Sequence, residues 1–234
     1  MDISKEAKKD TYIIMPAYNE ETRVRPVIEK IASLGYNVVA VNDGSSDNTL
    51  EVLKSVKRKY PSQIHIFSHM YNNGLGLTLQ TGFEAVTRFN PKYIVTMDAD
   101  GQHDVDDLPK VLEPLVSGRV EAVIGVRPLE DMPMTKNFAN TVMNLLTRIF
   151  YSVDVSDSQT GFRAITLDAL NRITINAKGY LIASEFIREI NDNKIPFEEA
   201  TVRTIYTDET QHKGTNFKVG IKIMLAMMKY RLFD

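Results

Sequence analysis

Asp98 and Asp100, with Gln102 and His103 close behind them, are the residues of this chain best suited to chemistry. They follow an apolar run, Tyr93-Ile-Val-Thr-Met97, that reads as a buried strand. Side chains at i and i+2 of a strand share a face. The spacing therefore predicts two carboxylates side by side at a strand's carboxyl end, where open α/β sheets bind ligands. Two bare carboxylates about 4 Å apart repel by roughly 4 kcal/mol at an effective dielectric of about 20. A divalent cation turns that repulsion into attraction. Oxygen-only ligands favour Mg²⁺ or Mn²⁺, and Mg²⁺ is usually held by one or two carboxylates plus substrate phosphates. The motif thus points to a metal that carries a phosphorylated substrate. The plainer alternative is a polar turn with one Asp capping the next helix.

The elements that must position this pair are legible as a β-α-β alternation. Apolar runs predict strands over 11–15, 37–41, 64–67, 93–97 and 121–125. Helical periodicity fills the gaps: 20–34, with Val24, Val27, Ile28 and Ile31 on one face, then 49–60, 75–89 and 105–116. Such alternation implies an α/β fold, a mostly parallel central sheet with helices on both faces. The second half is less regular. Helices are expected over 136–151 and 184–193, a loop over 154–161, an edge strand over 197–206 and an amphipathic helix from 217 to about 232. No repeat or flexible linker divides the chain. The expected division is an N-terminal extension (1–10), a catalytic domain (11–211) and a C-terminal helix (212–234).

Three more strand ends carry polar motifs. Pro16-Ala-Tyr18-Asn-Glu20 follows the first strand; Pro16 fixes the backbone and supplies no donor. Tyr18 is suited to stack on a base and Glu20 to accept hydrogen bonds from one, although an acidic first turn of a helix explains Glu20 equally well. Asn42-Asp43-Gly-Ser-Ser46-Asp47 follows the second strand, with Ser46 or Asp47 as the next helix cap. Capping accounts for Asp47 better than for Asp43. Gly74-Leu-Gly76 opens a glycine-rich segment that lacks the Gly-Lys-Ser/Thr ending of a P-loop and the third glycine of the dinucleotide fingerprint. A sheet gathers all four strand ends in one crevice, and together they outweigh the plain alternatives.

Composition narrows the function. The 234 residues are 43% hydrophobic and 25% charged, ordinary for a globular protein. A net charge of −2 gives no basic field for nucleic acid. The absence of cysteine removes disulfides and thiolate metal sites. The four histidines lack zinc-hydrolase spacing. The charged N-terminus does not read as a secretory signal, and no run of about 20 apolar residues spans a bilayer.

The motif set resembles family-2, inverting glycosyltransferases of the GT-A fold, and among them the dolichyl-phosphate mannose and glucose synthases and their prokaryotic polyprenyl-phosphate relatives. The resemblance covers about 11–206 and adds Gly125-Val-Arg127 and Ser158-Gln-Thr-Gly-Phe-Arg163 to the motifs above. It implies that Pro16, Ala17, Tyr18, Glu20 and Asp43 hold the base and ribose of a UDP- or GDP-linked sugar, with Gly74, Leu75 and Gly76 lining the same pocket. Asp98 and Ala99 would contact the donor. Asp98, Asp100 and Gln102 would hold Mg²⁺ or Mn²⁺ on the diphosphate. Arg127 would bind the phosphate of a polyprenyl (dolichyl-type) acceptor, helped by Lys136, Asn140, Arg163 and Arg203. Asn73 stands where relatives often have Lys, and Lys136 replaces an Arg fork with a point charge.

The expected reaction is one direct displacement by an acceptor phosphate that needs no catalytic base. Transfer to a saccharide hydroxyl is the alternative; it needs a carboxylate base, for which Asp154, Asp157 and Glu185 are the candidates. A sugar-nucleotide-binding protein without turnover is a third reading. To reach a lipid, the protein would sit peripherally on the cytoplasmic membrane face through the 217–232 helix or the 139–151 helix, or use a membrane subunit. An apolar stripe of this kind equally fits core or a homo-oligomer contact.

Overall fold

The computed structural model describes residues 3–205 except 129, 131, 133, 177, 178 and 180, and except the side chain of residue 135. The helix expected over 217–232 and the segment 212–234 lie outside the described residues. Seven strands form one sheet: β1 (Thr11–Ala17), β2 (Asn37–Asn42), β3 (Ile64–Ser68), β4 (Tyr93–Thr96), β5 (Ala122–Val126), β6 (Arg163–Thr166) and β7 (Phe197–Thr201), in the order β3-β2-β1-β4-β6-β5-β7. Only β6 runs against its neighbours among the described strands. The mostly parallel sheet expected from the alternation is present.

Strand periodicity builds two cores. Ile13, Met15, Val38 and Ala40 face one side; Ile14, Val39 and Val41 face the other. The first side is covered by α1 (Lys5–Lys9), α2 (Val24–Ser33), α3 (Thr49–Lys59) and α5 (Leu108–Val116), the second by α4 (Leu75–Thr87), α7 (Leu167–Leu170) and α8 (Leu181–Asp192). The stretch before β1, read as an extension, is a Ser4-capped helix that sinks Ile3 and Ala7 into the core. An 18-residue helix, α6 (Met134–Tyr151), packs mainly through Met143, Leu146 and Phe150 near the start of α8. Among the described residues no helix is long and apolar enough to cross a membrane.

Several elements differ from the sequence reading; the edge strand expected over 197–206 ends at Thr201, and the helix expected over 184–193 begins at Leu181. Residues 20–23 form a turn, in which the Glu20 carbonyl accepts from the N–H groups of Arg23 and Val24, so α2 starts at Val24. A 3-10 turn at Val105–Asp107 precedes α5. The sequence reading has no counterpart to β6, which inserts between β4 and β5 and pairs antiparallel with both. Four residues led by an arginine give no strand alternation to read.

The chain steps from β1 to β2 and β3 on one side, then returns to place β4 on the other. That reversal opens a crevice above the carboxyl ends of β1 and β4. Helix α4 lies close under it, because a Cβ on Gly82 would come 2.3 Å from Cγ2 of the fully buried Ile14. Gly82→Ala should therefore cost about 1–3 kcal/mol of stability through overpacking. Thermal unfolding checks this, and an unchanged Tm would mean that α4 moves outward without penalty.

Candidate active site

A cavity of about 830 Å³ fills the crevice. Its floor is the loop after β4. That strand ends at Thr96, so Asp98 and Asp100 are not strand neighbours as their spacing predicts. A turn through Ala99 to Gly101, with Gly101 at φ +77°, brings the carboxylates to the cavity instead. Asp98 Oδ2 lies 3.1 Å from Nε2 of the buried His103. Its carboxylate leans on Gly161, where any Cβ would come within 2.6 Å of Oδ2. Gln102 holds Asp100 twice, with its backbone N–H donating to Oδ1 at 3.0 Å and its side-chain amide to Oδ2 at 2.8 Å.

The two carboxyls are driven apart electrostatically. Burial pushes Asp98 up, but the His103 hydrogen bond and charge, Arg127 and Arg163 outweigh it and hold Asp98 below the usual range. Asp100 is pushed up, first by burial and then by the charge of Asp98. A site that raises one carboxyl against another gains most from a cation between them. The donors are hard oxygens, which fits Mg²⁺ or Mn²⁺. Among the described residues no group of three or more His, Cys, Asp or Glu is placed to hold a metal. Asp98, Asp100 and the side-chain oxygen of Gln102 are the groups that would hold such an ion, with water or a bound phosphate supplying the rest.

The opposite wall is cationic. Arg127, just past β5, forms a two-point pair with the fully buried Asp157, Nε to Oδ2 at 2.6 Å and Nη2 to Oδ1 at 2.9 Å. Its backbone N–H also donates to Asp157 at 3.2 Å. Lys136, in the first turn of α6, is pushed down by burial and by Arg127, against the pull of Asp100. Arg163 is 5% exposed and donates to the carbonyls of Ser158 and Ala183, each at 2.9 Å. Burial lowers its pKa to about 10, so it stays charged near neutrality. Asn140 lines the same wall, and neither polar atom of its buried amide has a partner.

The remaining walls of the cavity are Pro16, Ala17, Tyr18 and Glu20 after β1, Asp43 after β2, and Gly74 with Leu75 at the start of α4. A family model described as Glycosyl transferase family 2 matches residues 12–174. The chain belongs to glycosyl transferase family 2. It is 31% identical over 245 residues to the UDP-N-acetylglucosamine--dolichyl-phosphate N-acetylglucosaminyltransferase of Methanococcus voltae, covering 97% of this chain and 98% of that one. It is 26% identical over 230 residues to the polyprenol monophosphomannose synthase of Mycolicibacterium smegmatis, covering 94% and 84%. Among solved structures it is similar to glucosyl-3-phosphoglycerate synthase from Mycobacterium tuberculosis in complex with Mn²⁺, UDP and phosphoglyceric acid. There the TM-score is 0.72 at 15% identity, covering 98% of this chain and 80% of that one. At that identity the likeness is one of fold, the GT-A arrangement.

This glycosyltransferase brings nearly all the sequence-named residues to one cavity, with two exceptions. Gly76 lies inside α4, off the lining. Arg203 is turned away, its guanidinium held by Asp104 at 3.0 Å and by Asp107 at 3.2 Å on the Val105–Asp107 turn, and only its neighbour Thr204 lines the cavity. The carboxylates offered as bases for a saccharide hydroxyl are also elsewhere: Asp154 is exposed, Asp157 is sealed against Arg127, and Glu185 is buried, accepting from the Asn176 N–H. None of the three is among the described lining residues. Sequence reasoning missed the supports: Asp157 under Arg127, His103 under Asp98, and Gly161 against it. His103 and Gly161 each stand inside a motif named from the sequence, and Asp157 is named there only as a candidate base; what the sequence does not show is the contact each makes.

The raised Asp100 carboxyl has a measurable sign. A group whose pKa is raised by folding adds stability below its unfolded pKa and loses it as pH rises through the folded value. In EDTA, Asp100→Asn should therefore gain stability relative to the wild-type protein as pH rises from about 4 toward 7. Denaturant unfolding at several pH values reads the difference; a constant difference would remove the electrostatic strain from Asp100.

Proposed function

We propose that this glycosyltransferase moves a sugar from a UDP- or GDP-linked donor onto polyprenyl (dolichyl-type) phosphate, with Mg²⁺ or Mn²⁺ and with inversion at the anomeric carbon. The observation that carries this reading is the polarity of the cavity. An acidic floor, Asp98 and Asp100, faces a cationic wall, Arg127, Lys136 and Arg163, and no candidate base stands between them among the described residues. The acidic side suits a metal-bound diphosphate and the cationic side a second phosphate. The names of the Methanococcus and Mycolicibacterium relatives agree with a lipid-phosphate acceptor.

Each residue then has a task. Pro16, Ala17, Tyr18, Glu20 and the Gly74–Leu75 backbone enclose the nucleoside. Asp98 and Asp100 hold the cation, and Gln102 orients Asp100. A divalent ion bound there neutralises charge on the departing nucleoside diphosphate. Arg127 and Lys136, with Asn140 beside them, position the acceptor phosphate; Asp157 keeps the Arg127 fork fixed. Arg163 adds positive charge from beneath rather than contact, because its Nη groups are committed to backbone carbonyls. The acceptor is a phosphate monoester whose second pKa is near 6, so it arrives largely dianionic. One of its oxygens forms the bond to the anomeric carbon as the carbon–oxygen bond to the diphosphate breaks. Alignment and charge supply the catalysis.

Helix α6 supports a lipid acceptor from its outer side. Met134, Phe138, Val142, Leu145 and Ile149 are all exposed, and at 3.6 residues per turn they fall within an arc of about 80°. The face opposite them lines the cavity through Lys136, Asn140 and Met143. An apolar stripe behind the acceptor wall suits peripheral attachment to the membrane, on the cytoplasmic face where nucleotide sugars are available.

The deciding test is transfer from radiolabelled UDP-, GDP- and dTDP-sugars to a short polyprenyl phosphate. Organic-soluble product should form with Mn²⁺ or Mg²⁺, vanish with EDTA, and fall by about 100-fold or more in Asp100→Asn, several kcal/mol of lost metal stabilisation. Donor turnover without lipid product would reject the acceptor, and product formation in EDTA would reject the metal. Arg127→Lys, which loses the planar fork, should raise the acceptor KM by about tenfold and leave the donor KM unchanged. A change confined to the donor KM would move Arg127 to the donor side.

A further inference from the structure

Asp43 lines the cavity, yet its carboxylate is already occupied. Oδ1 accepts from the Asn73 N–H at 2.9 Å and faces His69 Nδ1 at 2.8 Å; Oδ2 accepts from the Gly74 N–H at 2.8 Å. The Thr78 hydroxyl donates to the Gly74 carbonyl at 2.9 Å, tying α4 to the same loop. A carboxylate offers about four lone-pair positions, so little of Asp43 is left to touch a ligand. Its partners instead set the backbone of the loop from Asn72 to Gly74, which does line the cavity.

His69 is the rigid part of this arrangement. Its backbone N–H donates to the Asn42 carbonyl at 2.9 Å, continuing the β2–β3 ladder by one residue. Its ring is 14% exposed, with Nδ1 on Asp43 and Nε2 at 2.9 Å from Oγ1 of Thr81 in α4. Asp43 can only accept, so Nδ1 carries a proton. The Thr81 hydroxyl can donate or accept, so the contact holds whether or not Nε2 is protonated. The loop also passes so close over Gly44 that a Cβ there would meet the Tyr71 backbone at 2.3 Å, and Gly44 has φ +62°. Asn73 contributes its backbone N–H to Asp43 and turns its side-chain amide to the Tyr71 carbonyl.

We infer that His69 is a positioning residue for the nucleotide donor. It ties the end of β3 to α4 through Thr81, fixes the Asp43 carboxylate, and through the Asn73 and Gly74 N–H groups bound to that carboxylate holds the loop backbone in the shape that receives the nucleoside diphosphate. Selectivity for the donor at this loop comes from backbone shape rather than from the side chain at 73. The inference rests on the reading of the cavity as a nucleotide-sugar site.

The test compares His69→Leu, His69→Asn and Thr81→Val with the wild-type protein. Hydrogen exchange at Asn73 and Gly74 is followed without ligand, UDP and GDP are each titrated calorimetrically with Mn²⁺, and the acceptor KM is measured. Loss of one hydrogen bond to a charged group should speed exchange at both amides and weaken nucleotide binding by about tenfold in His69→Leu. The acceptor KM should stay unchanged. His69→Asn, which keeps an N–H for Asp43, should recover most of both losses, and Thr81→Val should fall between. Unchanged exchange and affinity in His69→Leu would overturn the inference. So would His69→Asn behaving no better than His69→Leu, or Thr81→Val weakening donor and acceptor alike with a lower Tm. If the wild-type protein binds neither UDP nor GDP, the donor reading fails, and the functional role of His69 fails with it. Faster exchange in His69→Leu would then preserve only the brace.

Discussion

Everything in this molecule is arranged around two carboxylates that repel each other. Asp98 and Asp100 sit two residues apart at the end of a buried strand, and burial alone would push both toward the neutral form. The protein keeps Asp98 charged by surrounding it with His103, Arg127 and Arg163. Those three come from the β4 loop, the end of β5 and the start of β6. The antiparallel β6 is what brings them together, since it carries Arg163 beneath the site and Gly161 against the Asp98 carboxylate. A side chain at 161 would occupy the space the carboxylate needs. The unusual strand in the sheet thus adds the Arg163 charge and, just before it, leaves the room the Asp98 carboxylate needs, while His103 gives that carboxylate its main support.

The parallel half of the fold was legible because its signals are local. Strands such as 37–41 and 93–97 are short apolar runs bounded by turn residues, and α2 shows its buried face at helical spacing. The strand ends were legible for the same reason: Pro16, Tyr18, Asp43 and the Asp98–Gln102 motif closely follow apolar runs, and a parallel sheet collects such ends, while Gly74 opens the next helix six residues beyond its strand. β6 was not legible, because its meaning is entirely tertiary. Arg163 begins a strand only because Thr96 and Ile124 stand on either side of it. Arg203 failed for a related reason. Strand position put it near the site, but Asp104 and Asp107, almost 100 residues earlier, take its charge.

The pairing of Asp157 with Arg127 shows how far a residue type underdetermines its role. From sequence, Asp157 is as good a general base as Asp154 or Glu185. In the structure its side chain is fully buried, and both oxygens are spent on one guanidinium. Removing one partner of such a pair leaves an uncompensated charge, which is far costlier than the pair is stabilising. Its value lies in geometry: with Nε and Nη2 held by Asp157, the Arg127 guanidinium keeps one orientation at the cavity wall.

The same logic explains why the polar supports sit where they do. Asp157 fixes Arg127, Gln102 fixes Asp100, and His69 fixes Asp43. In each of these three cases a charged cavity residue is held by a second polar residue, so less reorganisation is left for the moment of reaction. Asn140 stands apart, with a buried amide lacking any partner. Such a group costs about 1–3 kcal/mol to leave unsatisfied. On the α6 wall that cost is relieved when something polar arrives beside Asn140. An arriving phosphate would satisfy the Asn140 amide, which fits the proposed acceptor position on that wall.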